Sequence, residues 1–335
     1  MRIKIKTIDN KIWNEYKVFV DIAYAMTLNE PITIDLLNEG VDLRTVKFYD
    51  KLFEVASTFQ YPISNITVIT ANALESHDTL KIKYLWPVNL VLAVKEYKND
   101  TIIKISNLKH FGIFVNRSSA ERLHLASYLH KNYLSKLTIS YNFNIKDDYH
   151  KIHCGLDNLI LNHGVQDTIT ESNFLNQCPI RLDNKEPVLI DNDIARYYQL
   201  LDQDRATFIE NYKNFFVEIV CESYYTGKTF FPTEKTWRPI MLKTPFIVQG
   251  PQWFLHRLRD MGFQTFDRWW DEGYSEDPAN WQNTEIKKVI DSIGKLSIEQ
   301  LQEMYTEMKP VLAHNKKRFM ELTSKDFEIF KNDRY

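Results

Sequence analysis

The chain has 335 residues, which is enough for two domains of ordinary size, each with its own hydrophobic core. With 44% apolar and 26% charged residues but only 9 glycines and 11 prolines, the composition excludes disordered chains, and no internal repeat of the solenoid kind is present. The formal net charge of -2 gives no overall attraction to nucleic acid or anionic membranes, so any anion site has to be local.

Cysteine usage and the N-terminal sequence predict a cytoplasmic protein. Cys154, Cys178 and Cys221 are an odd number without CxxC spacing, which favours a reducing compartment over a disulfide framework. The stretch MRIKIKTIDNKIW alternates charge and isoleucine like a strand and lacks the apolar core of a signal peptide. Because no apolar run reaches the roughly 18 residues that cross a bilayer, we expect no membrane insertion.

The first part of the chain alternates patterns that are typical of strands and helices. The apolar residues of VKFYDKLFEVASTF recur three and four positions apart, as on one face of a helix, whereas NITVITAN is β-rich. Polar residues such as Asn72 end the predicted strands, at the edge where α/β sheets bind ligands. The predicted elements are a strand at 32–37, a helix at 46–59, and strands at 65–72, 88–94 and 101–105.

A strand-to-helix junction follows. FGIFVN at 111–116 predicts a strand, and RSSAERLHLASYLHKNY predicts a helix in which Ser118 and Glu121 match a capping box. Arg117 then lies beside backbone amides that have no partner within the helix. We therefore predict an anion site at Arg117.

The second half of the chain continues the same alternation and ends in helices. Pro239 lies inside the helix that Thr233 begins, and we expect it to kink or shorten that helix. The predicted elements are a helix at 193–212, a strand at 215–223, a helix from Thr233, a strand at 244–250, a helix from Pro251 to near Gly262, and two or three amphipathic helices at 285–335. The pattern predicts an α/β protein with a helical tail that packs back onto it.

A charged cluster adjoins the apolar run of FFPTEKTWRPIMLKTPFIVQG at 230–250. Thr233 is a good N-cap, so its helix would present unpaired amides and a positive dipole end beside Lys235. Such a terminus suits a diphosphate, and Glu234 can accept hydrogen bonds from two neighbouring hydroxyls, such as those of a ribose. Adjacent Glu and Lys therefore fit a nucleotide. Between positions 228 and 259 the sequence has one acidic residue, Glu234, and six basic residues, Lys228, Lys235, Arg238, Lys243, Arg257 and Arg259.

Other interpretations of these charges stay open. Spacing alone equally fits a solvated helix face on which Glu234, Lys235 and Arg238 form ordinary ion pairs. Glu222 ends the predicted strand at 215–223, a position that suits contact with sugar hydroxyls and equally a paired surface carboxylate.

The segment from Thr233 onward resembles the donor site of a known family. FFPTEKTWRPIMLKTPFIVQG is similar to the part of GT-B glycosyltransferases of the fucosyltransferase type in which TEK opens a helix after a strand and a second strand follows. The resemblance implies that Glu234 binds the ribose and Lys235 the phosphate of a nucleotide sugar. We place Thr233, Arg238 and Glu222 with them as donor-binding residues.

Two further segments carry the resemblance. FGIFVNRSSAERLHLASYLHKNY is similar to the segment that opens the family's donor domain, which implies Arg117 or Arg122 at the diphosphate; the junction position favours Arg117. GPQWFLHRLRDMGF resembles the corresponding continuation in bacteriophage-encoded glycosyltransferases.

The resemblance implies a GT-B architecture, in which two Rossmann-like α/β domains face a cleft. We predict an acceptor-side domain at 1–110, a nucleotide-sugar domain at 111–284 and C-terminal helices at 285–335. The enzyme would transfer a hexosyl or pentosyl group to an acceptor hydroxyl.

Glycosyl transfer needs a base for the acceptor proton and positive charge for the leaving diphosphate. Lys235, Arg117 and the helix amides would supply the charge, so we expect metal-independent transfer with no cofactor besides the nucleotide sugar. Glu39 and Glu75 follow predicted strands of the first domain and are the candidate bases. Glu39 comes first because Gly40 lets its turn approach a substrate closely. An ordinary turn carboxylate remains the alternative for both.

Metal sites are weaker interpretations. Two pairs have the DxD spacing that holds a divalent ion in other glycosyltransferases, Asp191 with Asp193 and Asp202 with Asp204, but they abut or lie within the predicted helix at 193–212. The group His150, His153, Cys154 and His163 has zinc-binding residue types without a second closely spaced pair. We therefore predict no metal site.

The acceptor and one rival function stay open at this stage. The acceptor classes that fit a phage-like chain include a modified DNA base, a glycan and a protein, and near-neutral charge disfavours tight unspecific DNA binding. The rival is a non-catalytic nucleotide-sugar-binding module, since no residue before 110 stands out as catalytic. A metal-dependent nuclease would need clustered carboxylates that the sequence does not show.

Overall fold

In a computed structural model, the chain forms two four-stranded parallel sheets with helices between and after their strands. The predicted fold class, α/β with two Rossmann-like sheets and a C-terminal helical tail, is confirmed. The structure describes residues 1–8, 11–12, 14–36, 40–85, 91, 94–95, 108–116, 118–143, 168–182, 209–277 and 279–332.

The first sheet has the strand order β1-β4-β5-β6. Two short strands, β2 and β3, follow β1 in the chain and pair with each other in the antiparallel direction. Ile34 pairs with Val68 across the two central strands, and both are fully buried against Leu52 and its neighbours in one core. Its elements are β1 (Arg2–Lys4), β2 (Thr7–Ile8), β3 (Lys11–Ile12), α1 (Glu15–Thr27), β4 (Ile32–Leu36), α2 (Phe48–Thr58), β5 (Ile66–Thr70) and β6 (Lys81–Tyr84).

The second sheet has the order β10-β9-β7-β8, so β9 is an inner strand and all seven of its residues are buried. This explains its nearly continuous apolar sequence. Its elements are β7 (Lys109–Val115), α3 (Ala120–Tyr133), β8 (Leu137–Tyr141), α4 (Ile169–Leu175), β9 (Phe215–Cys221), α5 (Glu234–Met241), β10 (Phe246–Gln249) and α6 (Phe254–Asp260).

The helical tail consists of α7 (Ala279–Gly294), α8 (Ile298–Glu321) and a 3-10 segment at Ser324–Asn332. Its last part returns to the first sheet, because the Phe327 ring lies 5.6 Å from that of Tyr84 in β6. The Phe330 ring lies 4.8 Å from that of Phe230, which precedes α5. The tail therefore joins the two sheets through aromatic contacts. Among the described residues, no helix is long and apolar enough to cross a membrane.

Two sequence-based predictions need correction. Val91 and Val94 lie inside the predicted strand 88–94 but are helical. The prediction was wrong because a short apolar run does not distinguish a buried strand from a buried helix. The N-cap of α3 is Ser119, whose hydroxyl accepts a backbone N–H at 3.4 Å, and not Ser118.

Proline and glycine residues influence where two of the helices end. α5 is eight residues long, as the proline inside it predicts. α6 begins at Phe254 instead of Pro251 and ends before Gly262, whose φ of 84° gives the expected left-handed turn. β6 was missed because its sequence, KIKY, is charged and half exposed. The predicted strand at 101–105 and residues 193–208 of a predicted helix lie outside the described residues.

Candidate functional site

The candidate site lies where β9 ends and α5 begins, at the carboxyl edge of the second parallel sheet. Thr233 is the N-cap of α5, as predicted, with an extended backbone and a hydroxyl that accepts the amide N–H of Lys235 at 3.3 Å. Local sequence suffices for this cap, because a threonine oxygen reaches the second amide of its own helix. The helix terminus lies at the edge where α/β sheets bind ligands. The expectation of unpaired amides there is wrong for Lys235 and Thr236, whose amides donate to the Thr233 hydroxyl and the Thr233 carbonyl oxygen.

The Lys235 ammonium is held beside this terminus by three oxygen atoms. Nζ donates to Ser223 Oγ at 3.3 Å, to Thr233 Oγ1 at 3.2 Å and to Glu234 Oε1 at 3.0 Å. The side chains of Lys235 and Glu234 are 20% and 33% exposed, so solvent reaches both charges. Ser223 is a contact that sequence analysis missed, although its place directly after β9 was the available signal.

Glu234 is a charged carboxylate in this setting. Burial works against its ionisation, but the adjacent Lys235 ammonium, followed by Arg238, holds the pKa of Glu234 below its ordinary value. An ionised carboxylate only accepts hydrogen bonds. Glu234 is thus suited to bind hydroxyl groups.

Glu222 is buried, which excludes the surface carboxylate considered from sequence. Its Oε1 accepts from Thr233 N at 3.0 Å and Thr236 Oγ1 at 2.6 Å, and its Oε2 accepts from Thr233 Oγ1 at 2.7 Å and Ser223 N at 3.1 Å. Each carboxylate oxygen therefore receives one backbone and one hydroxyl donor. Glu222 joins the end of β9 to the start of α5.

The two candidate arginines of the α3 region have different outcomes. Arg122 reaches the site, because its Nη2 donates to the Glu222 carbonyl oxygen at 2.6 Å and its side chain is buried. Arg117 lies outside the described residues.

Arg238 lies in the protein interior. Its guanidinium forms an ion pair with Glu218 of β9 at 2.5 Å, donates to the Tyr212 hydroxyl, and stands 5.5 Å from the centre of the Phe114 ring. Burial raises the pKa of Glu218, and the Arg238 charge opposes that shift. Arg238 therefore has a structural partner one helical turn from Lys235.

The basic cluster seen in the sequence does not form one patch. Besides Arg238, Arg257 is buried and donates to the Gln252 carbonyl oxygen at 2.5 Å, and Arg259 pairs with Glu272 at 3.0 Å. The three arginines bind separate partners. Counting charges along the sequence overstated the local surplus because it could not include Glu218 and Glu272.

The candidate base Glu75 lies at the carboxyl edge of the first sheet, after β5. Its carboxylate accepts from Leu43 N at 3.0 Å and the Tyr49 hydroxyl at 2.8 Å, and Arg44 lies 3.6 Å away. Burial raises the pKa of Glu75. The other candidate base, Glu39, lies outside the described residues.

Residues 228–231, which precede α5, dock on this same edge of the first sheet. Asn72 Nδ2 donates to the Lys228 carbonyl oxygen at 3.0 Å, and the Phe230 amide donates to Asn72 Oδ1 at 3.0 Å. A side chain at Gly40 would overlap Phe231, with its Cβ 2.3 Å from that of the phenylalanine. From the sequence we expected a substrate close to Gly40 and a ligand at the strand end of Asn72. In the structure both positions contact residues 228–231 of the chain itself.

The candidate metal ligands lie outside the described residues; they are Asp191, Asp193, Asp202, Asp204, His150, His153, Cys154 and His163. Within the part of the chain that the structure describes, no group of three or more His, Cys, Asp or Glu side chains is arranged to hold a metal ion.

The fold and the site together define an α/β protein with two parallel sheets and a lysine–carboxylate pair at a helix terminus. No protein-family model matches the chain, and no curated protein matches it. Among solved structures, it is similar to an α,α-trehalose-phosphate synthase (UDP-forming) from Burkholderia vietnamiensis, with 9% identity and a TM-score of 0.44 over 94% of this chain and 75% of that chain. At this level of likeness the match carries no argument about function.

Proposed function

We propose that the protein is a glycosyltransferase that takes a sugar from a nucleotide-diphosphate donor. The observation that carries the proposal is the Lys235 ammonium, which is partly exposed and held at the start of α5 by Thr233 and Ser223 next to an ionised Glu234. A cation at a helix amino terminus binds phosphate oxygens, and a carboxylate beside it binds a pair of ribose hydroxyls.

Donor binding would proceed by exchange of partners at Lys235. An ammonium has three N–H donors, and here all three are used, one of them by Glu234 at 3.0 Å. Thr233 is buried, whereas the Glu234 side chain is partly exposed, so of these two Glu234 is the partner that a ligand can replace. A phosphate oxygen would take its place at Nζ, and the released carboxylate would accept the ribose hydroxyls.

In the transfer step, a base removes the proton of the acceptor hydroxyl, the hydroxyl oxygen bonds to the anomeric carbon, and the bond to the diphosphate breaks. Lys235, at the positive end of the α5 dipole, would stabilise the negative charge on the departing diphosphate. Lys235 supplies the positive charge that the diphosphate needs without a metal ion, so we propose metal-independent transfer. Arg122 anchors the Glu222 carbonyl behind the site, and the role of Arg117 at the diphosphate remains a proposal.

Glu75 and Glu39 remain the proposed bases. The raised pKa of buried Glu75 moves it toward the range in which a carboxylate acts as a general base. The proposed acceptor is a hydroxyl of a modified DNA base or of a glycan, in the host cytoplasm if the protein is phage-encoded.

One observation favours a second candidate function, a nucleotide-sugar-binding module without catalysis. The Glu75 carboxylate is already engaged by Leu43, Tyr49 and Arg44, and it is buried. A base that binds only its own chain would leave donor binding intact and transfer absent.

A thermal-shift screen tests the proposal. The purified protein is heated with GDP, UDP, CMP and their sugars, with and without magnesium or manganese, and the screen is repeated with Lys235→Ala. We expect one nucleoside diphosphate to raise the melting temperature of the native protein without metal, and to have little effect on the variant. No shift with any nucleotide would refute the donor site. Binding without donor hydrolysis or sugar transfer would establish the binding module instead.

A further inference from the structure

We infer that Glu222 is the positioning residue of the proposed donor site: it orients the Thr233 hydroxyl so that its lone pairs hold the Lys235 ammonium. This inference rests on the proposed function and assigns Glu222 a different role from contact with sugar hydroxyls.

The Thr233 hydroxyl uses its full hydrogen-bond capacity. A hydroxyl has one donor and two acceptor positions. Thr233 Oγ1 lies 2.7 Å from Glu222 Oε2, 3.3 Å from the Lys235 amide and 3.2 Å from Lys235 Nζ. All three positions are therefore in use.

The groups around the Thr233 hydroxyl fix the direction of each of its hydrogen bonds. The Lys235 amide N–H and the Lys235 ammonium only donate, so together they occupy both lone pairs of the Thr233 hydroxyl oxygen. The Thr233 proton therefore points to Glu222, and both lone pairs point to Lys235. A group at position 222 that donates to Thr233 would take one of these lone pairs and release a contact to Lys235.

The Glu222 carboxylate is itself held in place. It is 1% exposed, and backbone amides fix both of its oxygens, Oε1 through Thr233 and Oε2 through Ser223. Ser223 also offers its own hydroxyl to Lys235 at 3.3 Å. Two of the three oxygens around the ammonium thus belong to residues that Glu222 fixes, and the remaining one belongs to Glu234.

The arrangement has a consequence for binding. A ligand can replace Glu234 at Lys235 while Thr233 and Ser223 keep the ammonium in place, so the cation is in position before the diphosphate arrives. Preorganisation of this kind strengthens binding because less freedom is lost in the complex.

The test uses inorganic pyrophosphate as the probe and isothermal titration of the full-length chain. In Glu222→Gln, the amide nitrogen meets a backbone N–H in either orientation, and at the Oε2 position it also donates to the Thr233 hydroxyl, so the direction of that hydroxyl is no longer fixed. We expect pyrophosphate affinity to fall about tenfold, the effect of losing one oriented hydrogen bond to a charged group. The matched control is Thr236→Val, which removes a donor from the other oxygen of Glu222 and should keep affinity within about twofold.

A second pair of variants covers the case in which Glu222→Gln fails to fold. Thr233→Val removes the hydroxyl and should weaken pyrophosphate binding as much as Glu222→Gln, whereas Thr233→Ser keeps it and should restore affinity. Equal affinity in Thr233→Val and the native protein, or equal losses in Glu222→Gln and Thr236→Val, would overturn the inference and leave the proposed function standing. If the native protein itself does not bind pyrophosphate, the inference and the proposed function both fail.

Discussion

The carboxyl edges of the two sheets use their polar residues differently. At the second sheet, Lys235 and Glu234 are partly exposed and face the solvent side of a helix terminus. At the first sheet, Asn72 and Glu75 are buried and bind the chain's own residues. Polar strand ends therefore mark positions of close approach, and long-range packing decides whether the partner is a ligand or another part of the chain.

We expect the loss of Arg238 to have the largest effect on the free energy of unfolding. This variant distinguishes the buried part of α5 from the candidate site at its start. Arg238→Ala leaves the Glu218 carboxylate buried without its ion-pair partner, which we expect to cost about 3–5 kcal/mol of unfolding free energy. Urea denaturation measures this cost. Glu218→Gln with Arg238→Ala is the matched control and should recover part of the stability. Unchanged stability in the single variant would place Arg238 outside the core.

Asn72 tests the first edge. Asn72→Ala leaves the Lys228 carbonyl and the Phe230 amide without their partner, and we expect a loss of about 2–3 kcal/mol in unfolding free energy. Asn72→Asp keeps the acceptor for Phe230 but loses the donor to Lys228. If it were as stable as the native protein, the donor half of this contact would be unimportant.

Lys235 tests the second edge. Because its side chain is partly exposed, Lys235→Ala should change the unfolding free energy by less than about 0.5 kcal/mol. It should weaken nucleoside-diphosphate binding by about 1.5–3 kcal/mol, the effect of losing a charge-assisted contact. Titration calorimetry and denaturation on the same samples compare the two. If Lys235→Ala lost stability but kept its affinity for nucleoside diphosphates, Lys235 would be a structural residue and not a ligand-binding one.

The two edges should also differ in the sign of their pH dependence, by a smaller amount. The pKa of Glu234 is lowered, so its contribution to stability is present above its ordinary pKa and is lost as the pH falls through the folded value. The pKa of Glu75 is raised, so its contribution is complete below its ordinary pKa and is lost as the pH rises through the folded value.

Denaturation of the native protein, Glu234→Gln and Glu75→Gln between about pH 3 and 7 checks this contrast. The stability difference between native protein and variant should rise with pH for Glu234 and fall with pH for Glu75. For Glu234 we expect less than about 1 kcal/mol, since the pair is solvent-accessible. Slopes of the same sign would refute the contrast.

The sequence predicted what depends on neighbours along the chain. Thr233 caps α5 because the amide it reaches is two residues away, and the same closeness places Glu234 beside Lys235. The two sheets follow from apolar patterns that local reading detects, such as the wholly buried β9.

The sequence did not predict partners that are far apart in the chain. Arg238 is three residues from Lys235, yet its partner Glu218 lies 20 residues back on β9. Glu222 binds Thr233, which lies 11 positions further along the chain, and its burial depends on how the segment between them closes. No periodicity encodes such contacts.

The contact between Asn72 and Lys228 joins positions 156 residues apart. During synthesis the N-terminal part of a chain emerges first, so the first sheet can form while its Gly40 and Asn72 edge has no partner. That edge would stay incomplete until residues 228–231 leave the ribosome. The slowest step in maturation should therefore be the docking of this segment, and a folding intermediate with a bare first-sheet edge should be the form that chaperones recognise.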